Sequence, residues 1–202
     1  MASHNKSIAL ASLLAWASGI RLYLVSFAVG LAGYLGYLEL PAGLKMLQHP
    51  WVVGAAGFML LMEFLVDKVP AIDSAWDAVH TFIRIPAGAL LAAGATGDTL
   101  SALTVAAGLL GGTLTAGTHF TKAGGRVLIN TSPEPFSNWG VSFAEDVSVL
   151  GAIWFAFHFP LAFLALLAVF IALMVWLLPK LWRSIEGVFR VGHRHSGRST
   201  TK

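Results

Sequence analysis

Cysteine is absent from the 202-residue chain, and charged residues are scarce. The absence of cysteine excludes a disulfide framework and any metal site that needs a thiolate ligand. Charged residues make up 11% of the chain, whereas soluble domains contain about 25%. Hydrophobic residues make up 56%, and the mean hydropathy is +0.74. Because a soluble fold of this size could not bury so much apolar surface, the composition predicts an integral membrane protein.

Six long apolar runs alternate with short connections, several of which contain proline. A helix needs about 20 residues to cross the hydrocarbon core of a bilayer. The sequence therefore predicts an all-α membrane protein with about six transmembrane helices. The fifth run contains Glu145 and Asp146, so a re-entrant helix is an open alternative there. The predicted segments are 8–37, 50–67, 71–95, 99–125, 137–157 and 159–179.

The C-terminal tail, from residue 180 to residue 202, is basic. It contains six lysines and arginines and a single acidic residue, Glu186. Such a segment is typical of the cytoplasmic side of a membrane protein, where it attracts anionic lipids. The pI of 9.5 therefore reflects this tail and does not indicate a nucleic-acid-binding protein. Because six spans return the chain to its starting side, we expect both termini in the cytoplasm, in a bacterial inner membrane.

Two short segments resemble each other and indicate an internal repeat. SGIRLYL (18–24) and AGTHFTK (116–122) align Arg21 with His119. Two halves of three spans each must have opposite orientations, as in the inverted repeats of many transporters. Chance similarity between helices rich in glycine, alanine and leucine is the alternative. The predicted organisation is a cytoplasmic N-terminus (1–7), two three-helix halves (8–95 and 96–179) and a basic tail (180–202).

Four ionisable residues interrupt the third apolar run. Asp73, Asp77, His80 and Arg84 are spaced at i, i+4, i+7 and i+11, which places them on one face of a helix. A charged side chain at the centre of a bilayer costs about 2.5–3.5 kcal/mol on insertion scales. We therefore expect this face to point into the helix bundle.

Other apolar runs also contain charged residues, which predicts a polar cavity open to the cytoplasm. Guanidinium groups suit phosphate and carboxylate oxygens, and carboxylates can orient them or carry protons. The candidate substrate-binding residues are Arg21, Arg84, His119, Lys122, Arg126 and Asn130. The candidate charge partners or proton carriers are Glu63, Asp67, Asp73, Asp77, His80, Glu145 and Asp146.

These residues favour a transporter or lipid flippase for an anionic small molecule or lipid headgroup. A non-transporting scaffold with a salt-bridged core is the first alternative. A divalent cation carrier and an intramembrane enzyme also remain open, although no serine elbow or HExxH motif is present. The sequence assigns no catalytic residue, metal ligand or cofactor. The expected partners are the lipid bilayer, anionic lipids at the tail and the anionic substrate, and a homo-oligomer is open.

Three stretches carry a resemblance to a known family. They are SGIRLYL, DKVPAIDSAWDAVHTFIRIPAGALLAA (67–93) and KAGGRVLINTSPEPFSNWGVSFAEDV (122–147). In these segments the chain resembles the bacterial and plant membrane proteins grouped as domain of unknown function 4126. Ile85 is a minor departure, since many relatives have a proline beside Pro86. The resemblance implies a small polytopic membrane protein and supplies no established activity.

Overall fold

The computed structural model describes residues 2–97, 101–129 and 135–196. Within these residues the secondary structure is entirely helical, which confirms the predicted all-α class. Proline begins four of the six α-helices, where its fixed φ and missing N–H suit the first turn. The elements are α1 (Ala2–Tyr34), a 3₁₀ helix (Ala42–Gln48), α2 (Pro50–Val66), α3 (Pro70–Gly94), α4 (Ala102–Ile129), α5 (Pro135–His158) and α6 (Pro160–Ser196).

The chain has the apolar helices of a membrane protein. Three described segments are long and apolar enough to cross a bilayer, namely Asn5–Tyr34, Phe136–His158 and Pro160–Lys180. The 3₁₀ helix and α2, which are bent by 68° relative to each other, form a fourth candidate. Helices α3 and α4 contain 25 and 28 residues but include many of the charged residues. Six transmembrane helices are therefore not confirmed.

Helix α1 is broken at Arg21, whose φ of −142° and ψ of 71° are not helical. The residues Ser18 and Gly19 precede the break, and Gly/Ser pairs are common at sharp kinks. The predicted first segment, 8–37, is thus two helical halves, residues 2–20 and 22–34.

The first half of α1 runs beside α4 and the C-terminal part of α3. Gly111 of α4 packs against both Ala15 and Ala92. Ala92 lies eight residues, or about 12 Å, beyond Arg84 along α3. Ala15 therefore lies at a level about 12 Å from Arg84, towards the C-terminal end of α3. From Arg21, the first half of α1 extends towards the C-terminal end of α3.

The second half of α1 extends towards the same end. Gly30 packs against the carbonyl of Leu47 in the 3₁₀ helix. In that same 3₁₀ helix, a Cβ added at Gly43 would lie 2.7 Å from the backbone of Gly94, the last residue of α3. Because both halves of α1 lie on the side of the α3 C-terminus, α1 forms a helical hairpin whose tip is Arg21.

The α1 hairpin lies at the centre of the bundle. Apolar side chains from both halves are fully buried and form the core together with residues of α5 and the 3₁₀ helix. Large apolar side chains on the outer faces of the other helices are exposed, as expected for lipid contact. The predicted inverted repeat is not confirmed. Arg21 breaks its helix, whereas its supposed equivalent, His119, lies within α4 as one continuous helix.

Candidate functional site

The tip of the α1 hairpin lies in a buried group of charged residues, here called the ion-pair cluster. Its members come from α1, the last turn of α2 and its C-cap, residues 73–84 of α3, the second half of α4 and the first half of α5. The positive members are Arg21, Arg84, Lys122 and Arg126. The negative members are Glu63, Asp67, Asp73, Asp77, Glu145 and Asp146.

Arg21 connects α1 to the C-terminal end of α2 and to α5. Its guanidinium group donates a hydrogen bond to the Asp67 carboxylate. Its Nη2 donates to the hydroxyl of Ser142 at 2.5 Å and to the backbone carbonyl of that residue at 3.0 Å. Nη2 also lies 3.2 Å from a carboxylate oxygen of Glu145, and Nε lies 2.8 Å from one of Asp146. The side chain at the helix break is therefore held from two sides.

Arg84 and Lys122 both bind the carbonyl oxygen of Ile20, beside the helix break. Arg84 Nη1 donates to this oxygen at 3.2 Å, and Lys122 Nζ donates at 3.1 Å. A break in a helix interrupts the i→i−4 hydrogen bonds, so nearby carbonyls need other donors. The two cations supply those donors in the interior, where an unsatisfied carbonyl would be costly.

The same two cations also hold carboxylates. Arg84 donates a hydrogen bond to Glu63, and its Nη1 lies 3.3 Å from Asp77 Oδ1. Lys122 Nζ lies between three carboxylates, at 3.8 Å from Glu63, 3.6 Å from Asp77 and 3.6 Å from Glu145. Each cation thus shares its carboxylates with the others.

Arg126 closes the cluster at the C-terminal end of α4. It donates to the two carboxylate oxygens of Glu145 at 3.3 and 3.0 Å, and to the side-chain oxygen of Asn138 at 3.2 Å. Asp67 lies 3.6 Å from Nη2 and Asp73 lies 3.8 Å from Nη1. The bidentate geometry with Glu145 is the one that a guanidinium group offers to carboxylates and phosphates.

The cluster carries more negative than positive charge. Among the described residues, four cations face six carboxylates, so the formal charge of this group is −2 when the nearby histidines are neutral. Each of the four cations is 8% exposed or less. Excess charge of one sign is expensive at such burial. Two bound protons, or an equivalent positive charge, would balance the cluster.

Two histidines, His80 and His119, lie beside the cluster and form hydrogen bonds there. His80 stacks on Trp76 at 4.0 Å, and its Nδ1–H donates to the carbonyl of that residue at 2.9 Å. The Thr81 hydroxyl lies 3.0 Å from the carbonyl oxygen of Asp77 and 2.7 Å from His119 Nε2. Each histidine therefore has one ring nitrogen within hydrogen-bond distance of a residue of α3.

The structure brings together most of the residues that the sequence singled out. The four ionisable residues of α3 are all buried, with Asp73 and Arg84 fully so. Asn130 lies outside the described residues. The cluster is closely packed: the side chains of Asp146 and Glu145, at 25% and 14% exposed, are its most exposed members. The predicted open polar cavity is not confirmed.

Sequence reasoning missed the neutral members of the site. Ser142 and Asn138 are buried and donate or accept within the cluster, and the Ile20 carbonyl binds two cations. The Ser18–Gly19 pair before Arg21 was the available signal for the helix break. Among the described residues, no group of three or more histidine and carboxylate side chains is arranged to hold a metal ion.

Residues 8–180 match the family described as Domain of unknown function (DUF4126). The chain belongs to this family. The match includes every described helix from within α1 to the middle of α6, and with them the whole ion-pair cluster. Comparisons with curated proteins and with solved structures find no match.

Proposed function

We propose that this protein is a proton-linked membrane transporter of a small anion or an anionic lipid headgroup. One observation supports the proposal above the others: all four buried cations are occupied by carboxylates, and the carboxylates are in excess by two. A cluster of this composition can take up protons and, on doing so, can release guanidinium groups for another anion.

The proposed step is a competition for the same cations. When Glu63 or Asp77 binds a proton, its attraction to Arg84 weakens, because a neutral carboxyl group no longer forms an ion pair. The guanidinium group can then bind two oxygens of a phosphate or carboxylate. By thermodynamic linkage, an anion that displaces a carboxylate also raises the affinity of that carboxylate for a proton.

The α1 hairpin supplies the broken helix that such a site needs. In many transporters, discontinuous helices near the bilayer midplane place backbone groups beside the substrate. Here the break at Arg21 presents the Ile20 carbonyl to two cations of the cluster. Non-helical backbone at membrane depth is tolerated when it is buried in protein, as Arg21 is.

The hairpin also favours an orientation that differs from the one expected from six spans. Residues 2–20 and 22–34 both extend away from Lys68 and from the C-terminal end of α4. Basic residues are concentrated at the cluster end, which the positive-inside tendency assigns to the cytoplasm. We therefore propose that α1 enters from the outer side, reaches Arg21 and returns, leaving five helices to cross the membrane.

Single cysteines test this orientation, since the chain has none of its own. With an impermeant maleimide added to intact cells, we expect labelling of Lys6→Cys and protection of Arg183→Cys. Both positions are exposed in the structure. Protection of both until the cells are opened would contradict the hairpin orientation and restore two cytoplasmic termini.

Transport is tested in proteoliposomes that contain a pH-sensitive dye, with inorganic phosphate, acetate and a short-chain anionic phospholipid as separate probes. We expect one probe to enter or exchange faster under an inward proton gradient, with acidification of the lumen. Arg84→Lys should slow this flux at least about tenfold, because an ammonium group cannot reproduce the planar fork. Lys45→Gln, at the other end of the bundle, is the matched control. The absence of proton-linked flux with all three probes would contradict the proposal.

A salt-bridged scaffold is the second candidate, and the tight burial of the cations favours it. Buried ion pairs can fix helix positions without any transport role. The two functions are distinguished by replacing a charged pair with apolar residues of similar size. A scaffold should keep its fold and its cellular phenotype, whereas a transporter should keep the fold and lose the flux.

A further inference from the structure

The opposite end of the bundle contains an elongated apolar cavity of about 540 Å³. It lies between the first half of α1, the C-terminal part of α3, α4 and α6. Among the described residues, no ionisable side chain lines it, and its polar groups are hydroxyls such as those of Ser12 and Thr96. A charged ligand would find no partner inside, so the cavity suits a hydrocarbon chain.

The length of the cavity matches one leaflet of a membrane. Its lining extends from Leu103 to Leu114 on α4, which corresponds to about 16 Å along the helix. The acyl chains of one leaflet span half of a hydrocarbon core that is roughly 30 Å thick, or about 15 Å. The cavity is also open sideways, because Leu110 lines it and is 72% exposed on the outer face.

The two ends of the cavity differ in a way that orients the occupant. At the outer end, Ser7 lines the cavity, and the exposed Lys6 lies next to it in sequence. A lysine at this level can pair with the phosphate of a lipid headgroup. At the inner end, the Thr115 hydroxyl lies 2.8 Å from the carbonyl oxygens of both Ala15 and Gly111 and can donate its one proton to either. This layer separates the cavity from the ion-pair cluster.

We infer that this cavity is a binding site for one acyl chain of a phospholipid from the adjacent leaflet, with the lipid phosphate near Lys6. In a membrane, lipid surrounds the side opening of the cavity. The lining residues offer apolar contact along the length of an acyl chain. This inference does not depend on the proposed transport activity, because the site shares no residue with the ion-pair cluster.

Photolabelling with a phospholipid that carries a diazirine in its acyl chain tests the site. The protein is reconstituted in phosphatidylglycerol–phosphatidylcholine vesicles, and the labelled peptides are mapped. We expect strong labelling around Ala106–Leu114 of α4. Ala107→Phe, which fills the cavity, should reduce this labelling at least about fivefold. Val105→Phe, on the lipid-facing side of the same helix, should leave it unchanged, since Val105 does not line the cavity and is 60% exposed.

A second pair of variants keeps the test informative if Ala107→Phe does not fold. Ala11→Leu narrows the cavity from the α1 side, and Lys6→Glu reverses the charge at its outer end. Both should lower the labelling of α4, whereas labelling around Gly151 in the separate groove between α5 and α6 should persist. Equal labelling of all outer faces, unaffected by these variants, would overturn the inference. A dimer that covers Leu110 and blocks access of lipid to the cavity would also overturn the inference.

Discussion

The two ends of this bundle are built from the same helices but have opposite chemistry. Towards the α2–α3 connection, α1, α3 and α4 contribute the buried cations Arg21, Arg84 and Lys122. Towards the other end, the same three helices line an apolar cavity in which the described lining residues include no ionisable side chain. The difference shows that the same helices can line two sites of opposite chemistry, a buried ionic one and an apolar one that opens to the side. Side-chain chemistry divides the bundle into an ionic half and an apolar half.

A layer of small residues joins the two halves. At Gly19, an added Cβ would lie 2.6 Å from the carbonyl oxygen of Thr115, so α1 and α4 approach each other closely there. Gly88 of α3 packs against the side chain of Thr115 from the other side. Small residues allow this approach in helices surrounded by lipid, where packing supplies much of the association energy.

Among the substitutions that compare the ionic half with the apolar half, removal of a buried cation should have the largest effect on the free energy of unfolding. Arg84→Ala should lower the free energy of unfolding by about 3–5 kcal/mol, because Glu63 and Asp77 would lose a buried partner. Lys45→Ala, an exposed charge at the apolar end, should have little effect. Denaturant unfolding in mixed micelles measures both changes. A loss of similar size in the two variants would show that the ionic half is not special.

An intermediate effect is expected at the layer between the halves. Gly19→Ala should destabilise the protein by about 1–3 kcal/mol, since the new methyl group would overlap α4. Gly151→Ala, where an added Cβ meets nothing within 4 Å, is the matched control and should be neutral or stabilising. Thermal unfolding in detergent provides the comparison. If Gly19→Ala matches its control, α1 and α4 do not approach each other closely at Gly19.

The smallest change in stability should follow from removing a charged pair together. The double variant Glu63→Leu with Arg84→Met should have a free energy of unfolding within about 1 kcal/mol of that of the unmodified protein. Glu63 is removed together with Arg84, and Asp77 keeps Lys122 at 3.6 Å as a partner. Proton-linked flux should nevertheless be lost. A double variant as unstable as Arg84→Ala would mean that the two residues contribute separately to the cluster rather than as a pair.

Much of the helical organisation could be predicted from the sequence. The predicted segment 50–67 corresponds to α2, and 137–157 corresponds to α5, within two residues at each end. Apolar runs long enough to cross a bilayer, and the prolines between them, indicated the bounds of these helices. The broken helix could not be predicted in this way. Its carbonyl at Ile20 is satisfied by Arg84 and Lys122, which are 64 and 102 residues away in sequence.

The composition of the ion-pair cluster was predictable, but its connections were not. The spacing of Asp73, Asp77, His80 and Arg84 placed them on one helix face, and all four are buried. Which carboxylate contacts which cation depends on the α1 hairpin, because the break puts Arg21 at its tip.

The most direct measurement concerns the competition between carboxylates and an anion for the buried cations. Isothermal titration calorimetry with the anion found active in the flux assay, in buffers of different ionisation enthalpy, counts the protons taken up on binding. We expect tighter binding at lower pH and an uptake of about one to two protons per anion, reduced in Glu63→Gln. Binding that is independent of pH and takes up no proton would contradict the proposed mechanism.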